Sequence, residues 1–136
     1  MMPDSVSRFS RTVENYVKYR PSYPQAIVEF LQAACYLTDG ATIADIGSGT
    51  GLLSEVFLKS GYRVVGVEPN PDMRLASQQF LQNYPRFTSV VATAEETTLD
   101  RQSIDMITAG QAFQWFDRDN CRQEFARILK PEGWWF

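Results

Sequence analysis

The residues of this 136-residue chain best suited to chemistry are Asp45-Ile-Gly47-Ser48-Gly49-Thr-Gly51 and, at the end of the next apolar run, Glu68-Pro69. Three glycines at alternate positions let a backbone turn sharply and approach a ligand closely. The apolar run Ala41–Ile46 enters this turn, and the apolar helical face Leu52, Leu53, Val56 and Phe57 leaves it. A helix starting there directs unsatisfied N–H groups and the positive end of its dipole at whatever lies in the turn. Glu68 would end the adjacent strand, where a carboxylate accepts hydrogen bonds from two ribose hydroxyls and repels a 2′-phosphate. Loop and acid together predict a nucleoside-bearing cofactor. The spacing departs from the dinucleotide pattern G-x-G-x-x-G, because Leu52 stands where its last glycine would be. Asp45 has two readings, which can hold together: it accepts from the loop's own amides, and it orients the loop and meets an amino group of the cofactor.

Composition narrows the chemistry further. The chain contains no histidine. That excludes Ser-His-Asp and Cys-His catalysis and histidine-containing zinc sites, so no metal site is expected and the reactive group should belong to the cofactor. Cys35 and Cys121 stand apart on apolar helical patterns and read as buried thiols, with a nucleophilic role as the alternative. A net charge of −3 without a Lys/Arg run argues against a nucleic-acid backbone as partner. No apolar run approaches the roughly 18 residues of a membrane span, and Met1–Ser10 lacks the apolar core of a signal peptide. A cytoplasmic protein without a membrane partner is expected.

The elements that must position these residues alternate. Apolar runs at 41–46, 62–67, 87–92 and 104–108 read as strands buried on both faces. Between them lie helical patterns. One opens at Tyr23-Pro24 with Ile27, Val28, Leu31 and Ala34 inward. Another follows the glycines and stops at Gly61. A third is capped by Asn70 with Pro71 at its first position and Met73, Ala76, Phe80 and Leu81 inward. The last starts at Asp117 or Asp119, with Cys121, Phe125, Ile128 and Leu129 inward. Lys130-Pro-Glu-Gly133 then reads as a turn, and Trp134-Trp-Phe136 as the start of a fifth strand. Short connections between alternating elements predict an α/β, Rossmann-like, doubly wound and mostly parallel sheet. The expectation is one domain over 1–136, with an N-terminal arm over about 1–22, cut in or after its fifth strand. A bare edge on that strand would favour self-association.

Three motifs carry a family resemblance. Asp45-Ile-Gly-Ser-Gly-Thr-Gly51, Val65-Gly-Val-Glu68-Pro-Asn-Pro-Asp-Met73 and Leu129-Lys-Pro-Glu-Gly133 resemble class I methyltransferases that use S-adenosylmethionine, and more narrowly the type 11 methyltransferase domain. Phe9-Ser-Arg, Tyr16-Val-Lys-Tyr-Arg-Pro-Ser-Tyr-Pro24 and Gln111-Ala-Phe-Gln-Trp-Phe-Asp117 resemble a subgroup that includes trans-aconitate methyltransferase-like proteins. The resemblance implies S-adenosyl-L-methionine as cofactor and a small-molecule methyl acceptor.

Residue by residue, the resemblance implies that Gly47, Ser48, Gly49 and Gly51 meet the methionine part and ribose, and that Glu68, followed by Pro69, holds the ribose hydroxyls. Asn70 and Met73 would flank the adenine, Ala94-Glu95 would meet its edge, and Tyr16 and Arg20 would fold over the cofactor. Gln111, Gln114 and Trp115 would line the methyl site, the catalytic residues themselves being unassigned. Simpler readings stand beside these: Met73 in the core, Trp115 covering the sheet end, Glu95 solvated, Tyr16 packing and Arg20 in a surface ion pair. This sequence departs from the family pattern where Gln114 replaces a frequent histidine and Thr93 a frequent aspartate. Relatives also continue for roughly a hundred residues more, which bear on the acceptor pocket. The alternatives are an NAD-dependent Rossmann oxidoreductase, which shares the fold and the ribose-binding acid, and a cofactor-binding fragment that is catalytically incomplete.

Overall fold

A computed structural model describes residues 25–35, 37–109 and 117–135. In chain order these form α1 (Gln25–Cys35), β1 (Thr42–Ile46), α2 (Leu52–Lys59), β2 (Arg63–Val67), α3 (Pro71–Phe80), β3 (Phe87–Val90), β4 (Ile104–Thr108), α4 (Arg118–Ile128) and β5 (Leu129–Trp135). The strands make one parallel sheet in the order β3-β2-β1-β4-β5. From β1 the chain winds outward through β2 to β3, then returns to place β4 on the other side of β1. The direction of winding reverses between β1 and β4, and the crevice beyond the C-terminal ends of such strands is where open α/β sheets bind ligands.

Burial explains the strand composition. Ile43, Ala44, Asp45 and Ile46 are all buried, because helices cover both faces of the central strand. One core cluster joins Ile43, Val64 and Met106 to Val28 and Leu31 of α1 and to Val56 and Phe57 of α2. The other joins Ala44, Ile46 and Ile107 to Cys121, Phe125 and Ile128 of α4. Phe57 stacks edge-on against Tyr62, and Phe125 against Trp135. Asn70 caps α3 as its residue type dictates: its side-chain oxygen accepts from the Asp72 and Met73 amides at 2.9 and 3.1 Å, and Pro71 opens the helix. Asp117 is the cap of α4, accepting from the Asn120 amide at 3.3 Å. No helix among the described residues is long and apolar enough to cross a membrane.

Three expectations are corrected. Ala34 is exposed, not inward. Gln32 turns towards the core instead, and its amide donates to the Tyr62 hydroxyl at 2.5 Å. The third strand ends at Val90, with Val91 exposed. The fifth strand begins at Leu129, not Trp134. Leu129 pairs with Ile104 and Trp134 with Met106, so Lys130–Gly133 is an irregularity inside the strand and not a turn before it. Gly133 permits that detour by close approach, since a Cβ there would lie 2.7 Å from the Leu129 side chain and 3.1 Å from the Asp105 carbonyl oxygen.

The connection from β3 to β4 has neither helix nor strand, and α4 holds it. Glu124 Oε2 accepts from the Thr97 amide and hydroxyl at 2.9 and 2.6 Å, while Arg127 pairs with both Glu124 oxygens at 2.8 and 2.7 Å. The Arg127 guanidinium and the Thr97 hydrogen bonds hold the Glu124 carboxyl down at about 2. Because the folded value lies below the ordinary 4.5, this stabilisation is complete above that pH and is lost as pH falls through about 2. Such a shift corresponds to about 3 kcal/mol. The Arg127 side chain is 40% exposed, so screening reduces the expected contribution to about 2 kcal/mol. Glu124→Gln should therefore be about 2 kcal/mol less stable than wild type at pH 7, with the gap closing towards pH 2. Urea denaturation across that range checks this.

Candidate functional site

The site grows from the C-terminal ends of β1 and β2. The Val67 carbonyl accepts from the Gly47 and Ser48 amides at 2.8 and 3.2 Å, and Gly51 donates to the Ser48 carbonyl at 3.0 Å. The turn takes φ values of +68, +57 and +92° at Gly47, Gly49 and Gly51. At Gly51 a side chain is excluded twice, by φ and by Leu81, whose Cδ1 would lie 2.7 Å from a Cβ. At Gly49 only the backbone conformation excludes it, because nothing lies within 4 Å of where the Cβ would be. That side of the turn is open. The loop rests on β2 through Gly66, where a Cβ would meet Ser48 Oγ at 2.9 Å.

Glu68 closes this arrangement. Its Oε1 accepts from the Gly49 amide at 2.7 Å, and its Oε2 from the Asn70 amide at 3.0 Å. The residue is 8% exposed. Burial raises its carboxyl above the ordinary range, and the two amide hydrogen bonds oppose that rise. Gly51 caps α2 without a side-chain acceptor, so the first-turn amides of that helix have no side-chain partner there. Ser48 Oγ and Thr50 Oγ1 are buried with no hydrogen-bond partner. Buried hydroxyls without a protein partner are uncommon, and beside a glycine turn they are groups that a polar ligand or ordered water satisfies.

The protein contacts described for Asp45 run to Ser54 and Thr108, not to the amides of the glycine loop. Its carboxylate accepts from the Ser54 hydroxyl of α2 at 2.6 Å and, at 3.5 Å, from the Thr108 hydroxyl at the end of β4. It ties the two strands of the crevice to the helix leaving the loop. Burial pushes its carboxyl up to about 6; the Glu68 charge adds to that, and the Ser54 and Thr108 hydrogen bonds oppose it. Sequence reasoning missed Ser54 and Thr108. The available signal was a serine within the inward face of an otherwise apolar helix, which is fully buried.

Asp45, Gly47, Ser48, Gly49, Gly51, Glu68, Pro69, Asn70 and Met73 thus cluster at one end of the sheet. Asn70 spends its side-chain oxygen on its helix cap, and Met73 is 3% exposed. Ala94 is buried after β3, and Glu95 Oε2 accepts from the Asp117 amide at 3.3 Å while its Oε1 is buried without a partner. Tyr16, Arg20, Gln111, Gln114 and Trp115 lie outside the described residues. Cys121 is fully buried, and burial, with Glu95 and Asp117 nearby, pushes its thiol up to about 12. That leaves it a poor nucleophile.

Comparison with known proteins matches residues 44–136 to the family described as "Methyltransferase domain". An uncharacterized methyltransferase of Mycobacterium bovis is 34% identical over 125 residues, covering 92% of this chain and 49% of that protein. The chain spans about half the length of the curated relatives it matches. Among solved structures, one assigned as a type II methyltransferase from Anaeromyxobacter dehalogenans superposes with a TM-score of 0.74 at 31% identity, covering 85% of this chain and 46% of that one. One assigned as an S-adenosyl-L-methionine-dependent methyltransferase from Methanococcus maripaludis superposes at 0.77, with 23% identity, covering 96% and 60%. The latter likeness supports the Rossmann-like fold.

The buried acid has a measurable consequence. Because the folded value of Asp45, about 6, lies above the ordinary 3.8, stability is greatest below that ordinary value and falls as pH rises through about 6. Asp45→Asn keeps an acceptor for Ser54 and removes the charge. The ligand-free variant should exceed wild type in stability by on the order of 2 kcal/mol at pH 7, with little difference at pH 4. Thermal denaturation at the two pH values checks this.

Proposed function

The chain belongs to the methyltransferase domain family, and from that premise we propose that it is the cofactor-binding part of an S-adenosyl-L-methionine-dependent methyltransferase acting on a small-molecule acceptor. The observation that carries this reading is the Glu68 carboxylate, fixed by the Gly49 and Asn70 amides beside the glycine turn. A carboxylate offers about four lone-pair sites. The two amides use one on each oxygen, which leaves acceptor capacity for a pair of ribose hydroxyls. The nicotinamide alternative gains nothing from the family match, and the dinucleotide loop needs a glycine where Leu52 is packed at 5% exposure.

The residues present fit the cofactor. Gly49 and the orphaned hydroxyls of Ser48 and Thr50 would lie along its methionine and ribose parts, and Glu68 would hold the ribose. Met73, Asn70, Ala94 and Glu95 would border the adenine. Tyr16 and Arg20 are proposed to cover the cofactor, and Gln111, Gln114 and Trp115 to line the methyl site. Two buried acids, Asp45 and Glu68, bias the pocket towards a ligand bearing positive charge. When bound, the cofactor supplies an activated methyl on a sulfonium, so no protein nucleophile is required. The chain's own task is alignment and exclusion of water. A general base is needed only for a weakly nucleophilic acceptor such as an alcohol.

The motifs Tyr16-Val-Lys-Tyr-Arg-Pro and Gln111-Ala-Phe-Gln-Trp-Phe-Asp117 favour a trans-aconitate methyltransferase-like subgroup. We assign residues 1–136 to the cofactor-binding portion of the domain. The further length of the relatives would supply much of the acceptor pocket, so turnover would belong to the longer assembly and binding to this chain. Glu68→Ala should weaken S-adenosylmethionine binding by about 1–3 kcal/mol, the worth of charge-assisted hydrogen bonds. Calorimetry giving an unchanged affinity would refute its assigned role.

A further inference from the structure

The segment from Thr93 to Ser103 has no regular structure; Ala94 and Leu99 pack into the core cluster of Ala44, Ile46 and Val67, and the segment's hydrogen-bonded anchors lie on α4 and its cap. Thr97 is fully buried, and its amide and hydroxyl both donate to Glu124 Oε2. The same hydroxyl accepts from the Leu99 amide at 3.2 Å, and Arg127 Nη2 donates to the Leu99 carbonyl at 2.7 Å. Further on, the Gln102 and Ser103 amides donate to the Arg127 and Ile128 carbonyls, both at 2.9 Å. Thr98, between the two clamped residues, sits at φ +66°. A β-branched residue is held there only where its surroundings fix it. Upstream, the Glu96 amide donates to the Thr93 carbonyl at 3.2 Å and Glu95 accepts from the Asp117 amide, so the turn carrying Ala94 and Glu95 is continuous with the clamp.

We propose that the Glu124–Arg127 pair positions the Ala94–Glu95 turn against the base of the cofactor, so that adenine selectivity depends on a helix that does not touch the nucleoside. This rests on the cofactor reading above. Glu124 and Arg127 are positioning residues acting through Thr97 and Leu99. Their carboxylate–guanidinium fork is bidentate, which fixes direction as well as distance.

The test is the ratio of affinities for S-adenosylhomocysteine and S-inosylhomocysteine, which differ at the six-position of the base, measured by calorimetry on the full chain. Wild type should prefer the adenine compound. Glu124→Gln should cut that preference at least threefold, and Thr97→Val, which keeps the Glu124–Arg127 pair and removes only the hydroxyl, should reduce it in the same direction. Val28→Ala, on the core face of α1, should lose stability and leave the ratio alone. If Glu124→Gln does not fold, Thr97→Val decides. Wild type binding both nucleosides with a ratio that neither variant moves overturns the positioning role alone. Wild type binding neither overturns the cofactor reading, and the positioning role falls with it.

Discussion

A single carboxylate receives two backbone amides from different elements, and the geometry of the site follows from that. Glu68 takes Gly49 from the loop after β1 and Asn70 from the start of α3. A turn with three alternate left-handed glycines has little intrinsic preference for one shape, because glycine gives up more conformational freedom on ordering than any other residue. Fixing it takes partners. The Val67 carbonyl supplies two hydrogen bonds at the base of the turn and Glu68 supplies the one at its tip. The acid thus fixes the shape of the turn and ties it to the start of α3.

That arrangement costs the fold stability. Asp45 and Glu68 are both buried, both are pushed upward, and the charge of Glu68 contributes to the rise at Asp45. Neither has a Lys or Arg ion pair among the described residues; hydroxyls and amides do the work instead. Sites that oppose stability in this way are expected where function is built. The opposing contributions come from elsewhere: two apolar clusters on the two sheet faces, and the Glu124 clamp on the far helix.

The alternation of strands and helices was legible because parallel strands buried on both faces need continuous apolar runs, and helices need a 3.6-residue stripe. The Asn70-Pro71 cap and the glycine turn were legible because their residue types have few other uses. The start of β5 was not, because Lys130-Pro-Glu-Gly133 has turn composition while its neighbours pair across an irregular register. Ala34 misled because a small apolar residue near a helix end satisfies the periodicity without having to be buried. The partners of Asp45 were hidden because Ser54 and Thr108 reach it only through the packing of α2 and β4, which no local spacing encodes. The same holds for the grip of Glu124 on Thr97.

The central claim is that the Glu68 carboxylate, which already holds Gly49 on one oxygen and Asn70 on the other, also holds a ribose. A crystal structure of the chain bound to S-adenosylhomocysteine tests it most directly. The account predicts both ribose hydroxyls within hydrogen-bond reach of the Glu68 carboxylate while the Gly49 amide still donates to it. A nucleoside bound elsewhere on the sheet, or a carboxylate turned away from the sugar, would contradict it.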